Sequence, residues 1–176
     1  MTSFPYSSVR FHFAMTTSSK KIIAVVSATG NQDSSVARKF LSLSNWHVHC
    51  LTRNSSSAAA QTLGGLGAEL AWGDLSDLAS IIHAFASANA IFANTDFWAT
   101  YLNPNTPAKS ATTNKTSSEL AFHLEVSHST NIAKAAAGVQ TLERFIYSAL
   151  GPMKKRSRGK YPHSYHWDSK ATIVEH

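Results

Sequence analysis

The chain has 176 residues, enough for one domain with a real core, and a formal net charge of +6 at neutral pH. No apolar run approaches the roughly 18 residues needed to cross a membrane. Five of the sixteen basic residues lie in one heptapeptide, residues 154–160. Such a basic run is typical of a nuclear import signal or a nucleic-acid contact, but it also occurs in solvated loops without such a function. We favour the solvated loop. We therefore expect a cytoplasmic protein, leave nuclear entry open, and expect neither a membrane nor a nucleic acid as partner.

The N-terminal residues are predicted to be an extension ahead of the domain. Residues 1–32 contain basic residues and several serines but no acidic residue. That composition is found in mitochondrial presequences, but Met15 is equally a start that leads straight into the first strand, and we favour this alternative. We expect residues 1–19 to be disordered and the domain to occupy residues 20–176. The single cysteine, Cys50, suits a reducing compartment.

From residue 22 onward, patterns typical of strands and helices alternate. Residues 22–26 form a short β-branched run, which favours a strand buried on both faces. Further strands are predicted at residues 47–53, 68–72, 90–93 and 144–150, and helices over 36–41, from 54–57 onward, after Ser76 or Asp77, over 119–137 and from Asp168. This alternation predicts an α/β fold, a doubly wound parallel sheet of the Rossmann type with strand order 3-2-1-4-5.

The stretch between the last two strands is predicted to hold a loop and a long helix. Residues 99–118 are rich in Thr, Ser, Asn and Pro, and we expect them to form the longest loop. The helix over 119–137 is expected to stop at Gly138 and to bury one apolar face. That face comprises Leu120, Leu124, Ile132 and Ala135.

The turn after the first strand reads Ser27-x-x-Gly30-x-x-Asp33 and leads into a helix, an arrangement typical of nucleotide phosphate sites. Such a loop usually has glycine at all three positions, and only Gly30 is present, where it can supply an unusual φ and a close backbone approach. Ser27 is small enough to be tolerated. Asp33 either places a negative charge where a pyrophosphate would lie or caps the helix, and the sequence leaves both open.

Several short strings in a fixed order resemble the NmrA-like family, atypical relatives of the short-chain dehydrogenases that are abundant in fungi. They are ATGNQ–SVAR, LTRN, GDL, TDFW, FIYSAL and HWDSK, and the resemblance covers roughly residues 20–176. It implies an NADP-binding Rossmann domain followed by a smaller C-terminal domain. The chain stops where that second domain would begin, so we expect it to be absent. Whether this reflects a truncated member or an incomplete gene model stays open.

The resemblance also implies a cofactor site. Arg53 matches the family arginine that faces the adenosine 2′-phosphate, and a guanidinium suits a phosphate where an acid would suit a ribose hydroxyl. The other implied contacts are Ser27, Thr29, Gly30, Asn31 and Gln32 in the phosphate loop, Asp74 and Leu75 beside the adenine, Thr95, Asp96 and Phe97 near the nicotinamide ribose, and Lys170. We expect NADP as cofactor, with binding weakened by Ser27 and Asp33, which stand where the family shows glycine.

Two residues are implied near the chemistry. Lys170 matches the lysine of the short-chain-dehydrogenase YxxxK pair, and His166 stands where the tyrosine would be. One helical turn separates them, so both can face one cleft, and a histidine can donate a proton near neutral pH. The alternative, which we favour, is that His166 is a loop residue and Lys170 only holds ribose hydroxyls. The spacings of His123 with His128 and of His163 with His166 do not predict a metal site.

Three functions stay open at this point. The first is an NmrA-type oxidoreductase that uses NADPH on a small carbonyl or enone substrate. The second is a non-catalytic regulator that senses the NADP redox state and binds a protein partner. The third is a truncated remnant with impaired cofactor binding. Arg53, Asp74 and Lys170 favour the first two, whereas Asp33 and the short C-terminus favour the third.

Overall fold

The structure, a computed structural model, describes residues 19–175, which form a five-stranded parallel sheet in the order β3-β2-β1-β4-β5. The strands are β1 (Lys21–Val25), β2 (Trp46–Thr52), β3 (Glu69–Trp72), β4 (Ala90–Ala93) and β5 (Arg144–Tyr147). The helices are α1 (Asn31–Leu41), α2 (Ala58–Gly65), α3 (Leu78–Ala84), α4 (Phe97–Tyr101), α5 (Thr106–Thr113), α6 (Ser117–Ala137), α7 (Met153–Arg156) and α8 (Tyr165–Val174). The predicted fold class and strand order are confirmed. Disorder was predicted for residues 1–19, and residues 1–18 of this stretch lie outside the described residues.

Helices cover both faces of the sheet, which explains the unbroken apolar run of β1. Ile23 and Val25 pack on one side with α1 and α2 residues such as Ala37 and Leu63. Ala24 packs on the other side, in a cluster that includes residues of α3 and α6. A strand buried on both faces needs an apolar residue at every position, not at alternate ones.

The predicted loop over residues 99–118 is wrong, because α4 and α5 occupy much of this stretch. The Asp96 carboxylate caps α4, accepting hydrogen bonds from the backbone N–H groups of Trp98 at 2.9 Å and Ala99 at 3.1 Å. Pro107 lies in the first turn of α5, where its missing N–H group costs nothing. These helices have only five and eight residues, so apolar periodicity does not reveal them.

Helix α6 ends at Ala137 before Gly138, as predicted, but it begins two residues before the predicted Glu119. Thr116 and Glu119 form a capping box, with Thr116 Oγ1 accepting from the Glu119 N–H group at 3.2 Å. Its predicted apolar face is wrong at Leu124, which is 37% exposed, whereas Glu125 is buried at 2%. The helix therefore turns a polar side chain into the protein.

The C-terminal elements also differ from the prediction. Strand β5 ends at Tyr147 and not at residue 150, and α8 begins at Tyr165, three residues before Asp168. The Asp168 carboxylate accepts a hydrogen bond from the Lys154 backbone at 3.1 Å, which ties α8 to the basic heptapeptide. Within the described residues, no helix has the length and apolarity that spanning a bilayer requires.

Candidate functional site

A cleft of about 1290 Å³ lies at the carboxyl ends of the strands. Strands β1 and β4 are neighbours in the sheet, so the cleft sits where the strand order reverses, the usual ligand position in such folds. Its lining contains most of the predicted cofactor residues, namely Ser27, Thr29, Gly30, Asn31, Gln32, Arg53, Asp74, Leu75, Thr95, Asp96 and Lys170. The fold thus brings together residues that are up to 143 positions apart in the sequence, from Ser27 to Lys170. Phe97 and His166 do not line it.

The phosphate-type loop has its unusual backbone angle at Ser27, with φ +53°, and not at Gly30, with φ −72°. The prediction that Gly30 supplies the unusual φ angle is therefore wrong. The close approach is real, since a Cβ on Gly30 would lie 2.6 Å from Asp33 Oδ2 and 3.3 Å from the Ser27 carbonyl. A non-glycine residue in the left-handed region costs about 1–2 kcal/mol, which Ser27 carries here.

Gly30 is the N-cap of α1, and no side chain caps this helix. The first backbone N–H groups of a helix have no partner within it, and the helix dipole places partial positive charge there. Residues 31–33 therefore present donors at the edge of the cleft, where an anion is favoured. Ser148 Oγ donates to Gln32 Oε1 at 3.0 Å, which fixes this turn against the end of β5.

Asp33 lies in the first turn of α1 but makes no capping hydrogen bond, so the capping alternative is wrong. The residue is 3% exposed. Asn94 Nδ2 donates to its Oδ2 atom at 3.4 Å, and its buried Oδ1 atom has no hydrogen-bond partner among the described residues. Burial raises the pKa of Asp33, while Asn94 and the positive charge of Lys170 act in the opposite direction.

Lys170 is the centre of the polar contacts at the end of β4. Its Nζ atom donates to the Thr95 carbonyl at 2.6 Å and to Asn94 Oδ1 at 2.8 Å, and lies 3.2 Å from Glu125 Oε1. The Lys170 side chain is 13% exposed and that of Glu125 only 1%. This ion pair is therefore a buried one that joins α6 to α8.

Glu125 belongs to a larger buried network that sequence analysis missed. The Thr95 hydroxyl donates to Glu125 Oε1 at 2.8 Å, and Ser169 Oγ donates to Glu125 Oε2. The Tyr147 hydroxyl lies 3.0 Å from Thr95 Oγ1 and 2.8 Å from Ser129 Oγ. Burial raises the pKa of Tyr147, so its phenol stays protonated near neutral pH. The available clue was the i, i+4 pair of polar residues, 125 and 129, on a face shared with Ile132.

His166 packs among aromatic side chains instead of lining the cleft. Its ring centroid lies 5.0 Å from that of Trp98 and 6.0 Å from that of Phe97. Phe97 itself is 4% exposed and stacks on Tyr101. The structure brings Lys170 to the cleft without His166, so the pair does not share the cleft, and His166 lies in the first turn of α8 and not in the loop that we favoured. The catalytic assignments of both residues stay predictions.

The end of the cleft that includes Asp74 contains a histidine that the sequence did not single out for this site. Asp74 Oδ1 accepts a hydrogen bond from the Ser76 N–H group at 2.8 Å, and Ser76 Oγ lies 2.9 Å from His128 Nε2. Burial lowers the pKa of His128, with the nearby Asp74 charge opposing this effect. Arg53 is exposed at the carboxyl end of β2, on the same cleft.

A doubly wound parallel sheet with a cleft at the switch point defines a Rossmann-like domain. The sequence profile of the NmrA-like family matches residues 19–176, and the chain belongs to this family.

Known proteins of this family resemble the chain in sequence and in fold. It is 36% identical over 139 residues to the NmrA-like family domain-containing oxidoreductase himF of Aspergillus japonicus, covering 79% of this chain and 37% of himF. It is 41% identical over 78 residues to the corresponding oxidoreductase cpsB of Aspergillus campestris, covering 44% of this chain and 23% of cpsB.

Among solved structures, NmrA, a negative transcriptional regulator in complex with NADP, has a TM-score of 0.68 at 24% identity, covering 90% of this chain and 41% of that one. A second crystal structure of NmrA contains NAD. It has a TM-score of 0.66 at 23% identity, and the match covers 90% of this chain and 41% of the NmrA chain. The likeness at this identity shows the fold. The chain spans less than half the length of each of these relatives.

Proposed function

We propose that this chain binds a nicotinamide dinucleotide across the cleft, as an NADP(H)-binding protein of the NmrA type. The observation that carries the proposal is the convergence of eleven residues implied by the family resemblance on one cleft at the β1/β4 switch point. The relatives agree, since NmrA is solved with NADP and with NAD, and himF is named an oxidoreductase.

The chain's own groups fit such a ligand at both ends. The uncapped N-terminus of α1 presents backbone donors to a pyrophosphate. Arg53 is exposed and can pair with a 2′-phosphate through its planar fork of donors. Lys170 and Thr95 line the same cleft, and the family resemblance implies that they face the nicotinamide ribose. When bound, the dinucleotide would supply hydride-transfer chemistry, and these residues would hold and orient it.

The test is cofactor selectivity. Arg53 should favour NADP over NAD by about 1.5–3 kcal/mol, roughly ten- to a hundredfold in affinity, because a charged hydrogen bond to the 2′-phosphate is lost with NAD. Calorimetry with both cofactors measures this preference, and Arg53→Ala is expected to remove it. Arg38→Ala, an exposed arginine on α1, is the matched control and should keep it. Equal affinity of the wild type for NADP and NAD would contradict the proposal.

Between a catalytic and a binding role, the contacts of Lys170 favour binding without turnover. A lysine ammonium has three donors, and Asn94, the Thr95 carbonyl and Glu125 supply three acceptors at 2.6–3.2 Å. A ribose hydroxyl would have to displace one of these partners. His166 does not line the cleft, so it does not stand beside Lys170 as a proton donor there. We therefore favour a redox-sensing regulator with a protein partner over an oxidoreductase acting on carbonyl compounds.

This choice predicts negligible turnover. NADPH oxidation, followed optically against a panel of aldehydes, ketones and enones, should not exceed the rate without protein. Lys170→Ala is the control for any activity that is found. Robust turnover that Lys170→Ala abolishes would contradict the regulatory role and would leave the dinucleotide-binding proposal intact.

A further inference from the structure

Three potential metal ligands meet toward the amino-terminal ends of β2 and β3, whereas the cleft lies at the carboxyl ends of the strands. They are His47, His49 and Glu69, and one ligand atom from each lies within 4.8 Å of the others. His47 and His49 are two apart in β2, and Glu69 pairs with His49 in the parallel register of β2 with β3. Because side chains two apart on a strand share a face, all three project from the same face of the sheet.

The distances between these atoms match the edges of a small coordination polyhedron. Glu69 Oε2 lies 3.0 Å from His47 Nε2 and 3.5 Å from His49 Nε2. With Zn–N and Zn–O bonds near 2.1 Å, a tetrahedron has edges of about 3.4 Å. The widest separation in the group, at most 4.8 Å, exceeds this by about 1.4 Å, which a change of side-chain rotamer can close.

The surroundings also suit a metal more than a simple ion pair. The His49 side chain is 14% exposed, while His47 at 40% and Glu69 at 58% face solvent, so an ion can enter from one side. Because both rings turn Nε2 toward the Glu69 carboxylate, the donor atoms already converge on one point.

We propose that His47, His49 and Glu69 form a binding site for a divalent cation of the zinc type, with water as the fourth ligand. Two imidazoles and a carboxylate are a common zinc donor set. The ion would cross-link β2 to the edge strand β3. The site is separate from the dinucleotide cleft, since none of its three residues lines that cleft. Its occupancy should therefore leave cofactor binding unchanged.

The test uses the full chain without a tag, stripped by a chelator and titrated with Zn²⁺ against a chromogenic indicator. The wild type should take up one tight equivalent, and His47→Ala and Glu69→Gln should each weaken this by at least about tenfold. His123→Ala, an exposed histidine on α6, is the matched control and should bind like the wild type. Glu69→Gln removes the charge of an exposed side chain, so it retains the fold, as circular dichroism would confirm.

Two further measurements make the outcome decisive. Co²⁺ in place of Zn²⁺ should give the visible absorption of a tetrahedral site in the wild type and lose it in Glu69→Gln. Zn²⁺ should raise the unfolding temperature of the wild type and not that of His47→Ala, because only a protein that binds the ion is stabilised by it. Absence of a tight equivalent, or an equivalent that survives both His47→Ala and Glu69→Gln, would overturn the proposal.

Discussion

Asp33 carries its carboxyl group into the protein interior beside the phosphate-type loop. It has one long hydrogen bond from Asn94 and one oxygen without a partner among the described residues. A buried carboxylate is stable only when it is paired, and Lys170, whose positive charge acts on Asp33, already forms an ion pair with Glu125. We therefore interpret Asp33 as a residue that costs stability and places negative charge near the anion end of the cleft.

The variant Asp33→Asn tests this interpretation. Burial raises the pKa of Asp33 in the folded protein, so its charged form opposes folding above that pKa. Removing the charge should raise the free energy of unfolding at pH 7 by about 1 kcal/mol. The gain should disappear below pH 3.8, the ordinary pKa of the group, because aspartic acid is then neutral in both states.

Denaturant unfolding at several pH values measures this difference, and calorimetry with NADP should show tighter binding by Asp33→Asn. Asp77→Asn is the control, since Asp77 is the exposed N-cap of α3 and asparagine caps as well. A variant that is less stable at pH 7 and binds NADP no better would show that the carboxylate is needed where it lies.

Helix α6 is the element that connects the cleft to the rest of the molecule. Glu125 and Ser129 lie in its buried face and contact Thr95 after β4, Tyr147 in β5 and Lys170 in α8. The Asn131 side chain also donates to the Leu75 carbonyl at 2.9 Å, which holds the segment after β3. The helix thus fixes, through polar contacts, three of the segments that line the cleft.

Replacing Glu125 should therefore cost far more than replacing a surface acid. Glu125→Ala leaves the buried Lys170 ammonium without its counter-charge, a loss of about 3–5 kcal/mol. Glu143→Ala is the matched control, because Glu143 forms an exposed pair with Lys21 at 2.6 Å that should matter little. Urea unfolding measures both variants. Equal midpoints for the two would contradict a structural role for the buried pair.

At the scale of the whole molecule, the sheet was predictable because each strand is a short β-branched or alternating run between turn residues. Residues 90–93 match β4, and β1, β2 and β3 differ from prediction by one residue at one or both ends. The helices α4 and α5 were not predictable from periodicity, since they have only five and eight residues. The resemblance supplied the cleft residues, because motif positions fall at strand ends, which converge in space.

The buried network was not predictable for a different reason. Thr95, Glu125 and Tyr147 are far apart in sequence, and a glutamate in a helix is usually exposed. The same holds for His47, His49 and Glu69, because pairing of β2 with β3 fixes the position of Glu69 only once the register is known. Contacts of this kind follow from tertiary packing, which single-sequence patterns do not contain.

The central claim, that a nicotinamide dinucleotide lies across the cleft, is tested most directly by hydrogen exchange of the full chain with and without NADPH. Backbone amides of residues 27–33, 53–54, 74–76 and 94–96 should exchange more slowly with NADPH, because the ligand covers these segments. Amides of residues 58–65 in α2, none of which lines the cleft, should be unaffected and serve as the internal reference. Exchange that NADPH leaves unchanged throughout, or slows only outside the cleft, would contradict the account.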